Sequence, residues 1–229
     1  MKKSFRDNNK ERISNIARVY DSLAEAQRYF RRTPPSGLWD WVRDRQLSIA
    51  NSYINSSFFT VNGKTTALDI GCNSGRYTKA LQEKGIEAVG IDTASIPLSC
   101  ASSWVPQASF VRASVLSLPF ERKTFNYVIC IELLHHFTDE VIKEALREIT
   151  RVIKPGGILI FDLKNRWNPV MRYIYRRDDK IRFTLKTRSV SRMISLVEAN
   201  GFKVIKKRGI PPIPFLAPFV VLCAVKGGK

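Results

Sequence analysis

What most constrains this chain is an alternation that begins at Thr65, where short runs of β-forming residues are separated by stretches with helical apolar spacing. TALDIG precedes RYTKALQEKG, EAVGID precedes a mixed stretch and SFVRAS, and NYVICIE precedes DEVIKEALREITRVIK and ILIFDL. Strands that alternate with helices fold as a parallel sheet with helices on both faces. In DEVIKEALREITRVIK the apolar residues Val141, Ile142, Ala145, Leu146, Ile149, Val152 and Ile153 recur at helical spacing. Thr138 or Asp139 can cap that helix, and Pro155-Gly156-Gly157 is expected to stop it. A length of 229 residues suits one α/β domain with decoration better than two independent cores.

The flanks read differently from this middle. Before Thr65 the chain is helical, as in ERISNIARVYDSLAEAQRYFRR, with a break at the TPPSG of residues 33–37. Residues 1–62 are therefore expected to form a helical extension that closes as a lid, and residues 63–229 the α/β domain. After Leu163 comes KNRWNPVMRYIYRRDDKIRFTLKTR, basic and aromatic, with a helix start at Asn168-Pro169. SVSRMISLVEANGF follows as a helix ending at Asn200-Gly201, and FKVIKK and FVVLCAV are strands expected to close one edge of the sheet.

The net charge of +18 is unevenly placed. Residues 1–62 hold 11 Lys/Arg against 6 Asp/Glu, residues 63–163 hold 11 against 11, and residues 164–208 hold 14 against 3. An anionic partner should thus meet the flanks, while the neutral middle is left to bind something small. The opening MKKSFRDNNKER lacks the apolar core of a secretion signal. Residues 210–225, the longest apolar run, carry four prolines and fall short of the roughly 20 residues that cross a bilayer. Four cysteines without a C-x-x-C pair, and only two histidines, suggest neither a metal site nor a disulfide framework. The expectation is a cytoplasmic protein, peripheral at most to the inner face of the membrane.

LDIGCNSGRYT, residues 68–78, joins a strand to a helix, so its turn lies at the carboxyl edge of the sheet, where open α/β sheets bind ligands. A dinucleotide loop would need glycines at 71, 73 and 76, and the chain offers Gly71, Asn73 and Arg76. That mismatch argues against a nicotinamide enzyme. With an acid two residues before the first glycine, Asp69-Ile70-Gly71-Cys72-Asn73-Ser74-Gly75 resembles instead the first motif of the class I S-adenosylmethionine (AdoMet) methyltransferases. Asp92 in VGIDTA, then SVLSLPF, FNYVICIELLHHF and REITRVIKPGGILIF, are similar to that family's later motifs, in order.

The resemblance implies a seven-stranded, doubly wound Rossmann-like sheet, mostly parallel with its last strand antiparallel. It also implies AdoMet as methyl donor and S-adenosylhomocysteine as product. On this reading Asp69 and the turn Gly71, Cys72, Asn73 and Gly75 hold the methionine moiety, Asp92 with Thr93 the ribose, and Ser114 with Val115 the adenine. Cys130, Ile131 and Glu132 line the floor, and Tyr20 reaches back over the cofactor. Two residues depart from the pattern. Asn73 replaces a glycine, which asparagine can do because it tolerates left-handed geometry. Ser114 stands where the family commonly has an aspartate, and its hydroxyl is a weaker, neutral acceptor.

His135 is the first choice for a general base and Glu132 the second, a near-neutral imidazole being suited to deprotonating a hydroxyl. Alternatively the Leu-His-His-Phe element only shapes the pocket. The basic insertion at 164–192 marks a solvated face, an anionic small-molecule or lipid-linked acceptor of an O-methyl group at a membrane surface, or, with the basic run on to 208, a tRNA or rRNA acceptor. A non-catalytic adaptor with the same fold is a further alternative.

Overall fold

The computed structural model describes residues 18–30, 37–55, 65–169, 171–173, 186–212 and 216–228, with Glu11, Ser14 and Asn15. The expected break at 33–36, the centre of the basic insertion at 174–185 and residues 213–215 lie outside this set. Seven strands, β1 (Thr66–Ile70), β2 (Glu87–Asp92), β3 (Ser109–Arg112), β4 (Phe125–Cys130), β5 (Ile153–Lys164), β6 (Phe202–Ile210) and β7 (Phe219–Lys226), form one sheet in the order β3-β2-β1-β4-β5-β7-β6. The first five run parallel, and β7 lies antiparallel between β5 and β6. The chain leaves β3 at one edge and returns beside β1 as β4. That reversal opens a crevice past the carboxyl ends of β1 and β4.

Among the described residues the helices around the sheet include α1 (Leu23–Phe30), α2 (Leu38–Asn55), α3 (Arg76–Gln82), α4 (Ser95–Trp104), α5 (Asp139–Val152) and α6 (Val190–Glu198). Side chains alternate across each strand, so the two faces bury different sets. Leu68, Ile70, Val128, Cys130, Leu159 and Phe161 pack with α5 and α6, whereas Ala67, Tyr127, Ile129, Ile158 and Ile160 pack with α2. Thr138 caps α5 by accepting from the Val141 amide.

Local signals acted differently from expectation in two places. The N-terminal helical stretch is interrupted at Asp21-Ser22, where the Ser22 hydroxyl accepts from the Glu25 amide at 3.2 Å and starts a new helix. Pro155-Gly156-Gly157 does not terminate α5, which ends at Val152. It lies inside β5, opposite a register shift between Phe125 and Tyr127. Gly156 takes φ 73° there, and a Cβ on Gly157 would stand 2.7 Å from Ile153, so the glycines serve an irregularity in the strand.

Candidate functional site

The loop after β1 is stitched to its neighbour before it reaches the crevice. The amides of Gly71 and Cys72 both donate to the Ile91 carbonyl, at 2.8 and 2.9 Å. Gly71, Asn73 and Gly75 take φ of 73°, 46° and 83°, three left-handed residues within five. Asn73 holds that geometry while its side-chain oxygen accepts from the Ser74 amide at 2.7 Å. Its own amide donates to Asp92 Oδ2 at 2.8 Å, and the Ala94 amide donates to Asp92 Oδ1 at 2.9 Å. Burial pushes the Asp92 carboxyl above the usual range, against the opposing pull of these amides.

In front of the loop lies a cleft of about 820 Å³, part of it open to solvent. A lobe of about 280 Å³ adjoins it. Asp92, Gly71, Thr93, Leu133 and Phe137 line both, so the Asp92 carboxylate stands where the two meet. Tyr20 and Tyr29 wall the larger space from the N-terminal side, Arg43 from α2, Arg76 and Tyr77 from α3, and Ile131, Glu132 and His136 from the segment after β4. Ile70, Ala113, Ser114 and Val115 line the smaller one. The Ser114 hydroxyl accepts from the Leu116 amide at 3.3 Å.

Beneath Glu132 is a buried polar network. Glu132 takes φ 59°, an uncommon conformation for a residue with a long side chain. Its amide donates to Asp162 Oδ1 at 2.7 Å, while Asp162 Oδ2 accepts from Gln46 Nε2 at 2.9 Å. Arg43 Nε lies 3.8 Å from Glu132 Oε2, and the Arg43 guanidinium stacks 4.7 Å from the Tyr29 ring. Asp162 is fully buried, and desolvation, reinforced by Glu132, lifts its pKa to about 7. Burial also lowers the pKa of Lys164, the nearby Glu132 and Asp162 only partly offsetting it.

Asp162 therefore carries a testable pH dependence. Its carboxyl titrates near 3.8 in an unfolded chain and near 7 when folded, so its stabilising share is complete below pH 4 and is lost as pH rises towards 7. Asn at this position stays neutral. Its oxygen can still accept from the Glu132 amide, and its amide can donate to Gln46 Oε1, which has no partner among the described residues. Asp162→Asn is thus expected to raise stability at pH 8 by about 1–3 kcal/mol and to flatten the decline between pH 4 and 7. Thermal unfolding across that range checks it, and a lower Tm for the variant at pH 8 contradicts it.

The fold brings most of the expected residues to the cleft, but four stand elsewhere. Asp69 is 1% exposed, and its Oδ2 accepts from the Thr78 amide and hydroxyl at 2.9 and 2.7 Å, fastening α3 to β1. Desolvation raises its pKa to about 7. Gly75 sits under Phe110, whose ring would meet a Cβ there at 3.0 Å. Cys130 faces the core beneath α5, because the period of two that puts Ile131 on the cleft turns its neighbour away. His135 is enclosed by the 3₁₀ turn Leu134–His136, and burial with nearby cations drives its pKa well down. His136, not His135, reaches the cleft. Its Nε2 lies 3.5 Å from the Tyr20 hydroxyl.

The segment that carries this loop matches known proteins. The family of methyltransferase domains matches residues 68–161. An uncharacterized methyltransferase of Synechocystis sp. is 30% identical over 146 residues, which are 61% of this chain and 68% of that relative. The chain belongs to the AdoMet-dependent methyltransferase family. An uncharacterized methyltransferase of Bacillus subtilis, YcgJ, is 29% identical over 63% of this chain and 60% of its own length. A ubiquinone biosynthesis O-methyltransferase of Hahella chejuensis is 34% identical over 44% of each chain, so this alignment takes in less than half of that enzyme. Among solved structures, the magnesium protoporphyrin IX methyltransferase of Synechocystis with bound S-adenosylhomocysteine superposes with a TM-score of 0.75 at 14% identity, over 93% of this chain and 99% of that one. Identity that low speaks for the methyltransferase fold alone.

Several residues of this methyltransferase's cleft and of the buried network beneath it escaped sequence reasoning. Asp162 had a signal, a lone charge in the otherwise apolar ILIFDL of a buried strand. Arg43 and Gln46 had a weaker one, polar residues close to the stripe of Val42, Ile49 and Ala50 that α2 turns to the sheet. Tyr29 and Tyr77 had none, since an aromatic on a helix reads first as core. Among the described residues no helix is long and apolar enough to cross a membrane, and no cluster of His, Cys, Asp and Glu is suited to hold a metal.

Proposed function

We propose that this chain methylates an oxygen of an anionic, lipidic acceptor presented at an anionic membrane surface. The observation that carries the cofactor half is the position of Asp92 between two adjoining spaces. A ribose there would have its hydroxyls facing the carboxylate, with the amino-acid part in the larger space and the base beside Ser114 and Val115. Gly71 fits this placement, because a Cβ would press on Leu133 at 3.3 Å and narrow the passage. AdoMet, when bound, supplies an electrophilic methyl on a sulfonium and leaves as S-adenosylhomocysteine.

The chain's own residues orient the acceptor and move one proton. Arg43, held by Asp40 at 2.7 Å, lines the cleft and pairs with the acceptor's anionic group. Glu132 takes the proton of the acceptor hydroxyl. Its positive φ and its tie to buried Asp162 support that role, since strained backbone persists where surrounding structure fixes it for a task. Alignment contributes much of the acceleration, a sulfonium methyl being already reactive.

The acceptor half rests on exposed Trp167, Tyr173 and Leu216, at 58%, 57% and 48%. Asn168 Nδ2 donates to the Leu216 carbonyl at 2.6 Å and joins the two loops that carry them, beside Arg166 and Arg172. Amphipathic aromatics among arginines suit a headgroup layer. An RNA acceptor is the second reading, favoured by the Arg166 guanidinium lying 5.3 Å over the exposed Trp167 ring. Incubation with methyl-labelled AdoMet and separate lipid, small-molecule and RNA extracts tests both. Label in the lipid fraction is expected; label confined to RNA transfers the assignment, and no label together with no calorimetric binding of S-adenosylhomocysteine removes the methyl-transfer reading.

A further inference from the structure

We infer that the groove between α2 and β6 is a second binding site, one that takes the phosphate headgroup of an anionic lipid in a bilayer. This rests on the membrane-surface reading above and gives it a place on the molecule. The groove spans about 610 Å³, part of it open to solvent, and its lining includes Trp41, Arg45 and Ile49 from α2 and Arg208, Ile210 and Pro211 from β6 and the turn after it. None of its lining residues belongs to the methyl-transfer cleft. The helix α2 divides the two sites, sending Arg43 to the cleft and Trp41, Arg45 and Ile49 to the groove.

Charge and shape together select the occupant. Among the described residues two arginines and no acid line the groove, and neither Arg45 nor Arg208 pairs with a carboxylate. Their apolar surroundings, with Trp41 and Pro211 half-buried and Pro212 exposed, suit the glycerol and upper acyl region that a lipid carries beside its phosphate, whereas an inorganic anion would leave those three uncovered. The Trp41 ring lies 6.0 Å from the Arg45 guanidinium, the pairing of amphipathic aromatic and cation that suits a headgroup boundary. Lysines on β6 alone would have a simpler purpose, because a charged edge strand resists pairing with other chains. Arg45 stands on a helix and has no such task. Because β6 runs in the same sense as β1 and β4, the groove ends at the sheet edge where the cleft opens. A protein docked through the groove would keep that edge against the bilayer.

Cosedimentation of the full chain with phosphatidylglycerol-containing vesicles, and with phosphatidylcholine vesicles as reference, tests the site. Preference for the anionic vesicles is expected. Arg45→Gln with Arg208→Gln should weaken binding about 30-fold and Arg208→Gln alone about fivefold, from about 1 kcal/mol per cation near the surface. Lys203→Gln with Lys207→Gln removes the same charge from the same edge outside the groove and should cost much less. Binding of S-adenosylhomocysteine, measured on every variant, should be unchanged and certifies the fold. Equal losses for the arginine and lysine pairs, or none for the arginine pair, overturn the groove and leave the membrane reading standing. No preference for anionic vesicles removes both, with methyl transfer judged separately by S-adenosylhomocysteine binding. Binding of glycerol phosphate or RNA through Arg45 and Arg208 without vesicle binding overturns the bilayer as occupant.

Discussion

Glu132→Gln is expected to slow methyl incorporation by about 10²–10⁴-fold, the usual worth of a positioned proton acceptor, while leaving S-adenosylhomocysteine affinity within a few fold. The substitution keeps the side chain's size and leaves the backbone bond from residue 132 to Asp162 intact. The capacity to take a proton is lost, and with it the negative charge 3.8 Å from Arg43. His136 is the rival, since it also lines the cleft. If His136→Gln slows the reaction more than Glu132→Gln does, the imidazole is the proton acceptor and the role given to Glu132 is wrong. His135→Gln should alter stability more than rate, because His135 does not reach the cleft. The measurement is initial rate with labelled AdoMet against the fraction that accepts methyl, with binding followed in parallel.

Asp92→Ala should weaken S-adenosylhomocysteine binding by at least about 100-fold. Each hydrogen bond to a charged acceptor contributes about 1.5–3 kcal/mol, and the two ribose hydroxyls are proposed to make theirs here. Part of the loss would come through the loop, since Asp92 also accepts from the amides of Asn73 and Ala94. Asn73→Gly separates the two effects. Glycine keeps the left-handed φ of 46° and the amide that bonds Asp92, and forfeits only the side-chain bond to Ser74, so affinity should change by less than about threefold. Asn73→Val, β-branched at a positive φ, should disturb the loop far more. Calorimetric titration of the three variants checks the order, and an Asp92→Ala variant that binds like wild type excludes the ribose contact.

The sheet was legible because its signals are local. A strand announces itself by a short β-branched run and a helix by apolar spacing, and the strands β1 to β5 with the helices α3 and α5 lie where those patterns predict, whereas α4 folds from the mixed stretch between β2 and β3. The same locality made Asn73 readable as a turn residue and Asp92 as a strand-end acid. Locality also misled. Pro155-Gly156-Gly157 reads as a helix stop on its own, yet the pairing of β5 with β4 absorbs it as an irregular strand. His135 and His136 are chemically identical in the sequence; a single 3₁₀ turn decides that one is enclosed and the other meets the cleft.

The sequence by itself determined the alternation of strands and helices, the loop at the carboxyl end of β1, and the separation of a neutral core from basic flanks. These depend on side-chain period, on turn chemistry and on counting charges, none of which needs a partner distant in the chain. Tertiary structure alone decided what stands around the crevice. Gln46 meets Asp162 across 116 residues, Tyr20 meets His136 across the same number, and Arg43 arrives beside Glu132 because α2 packs on the opposite face from α5. Such contacts follow from which face each helix buries. That choice is made by the whole sheet's two apolar surfaces, and no short stretch of sequence records it.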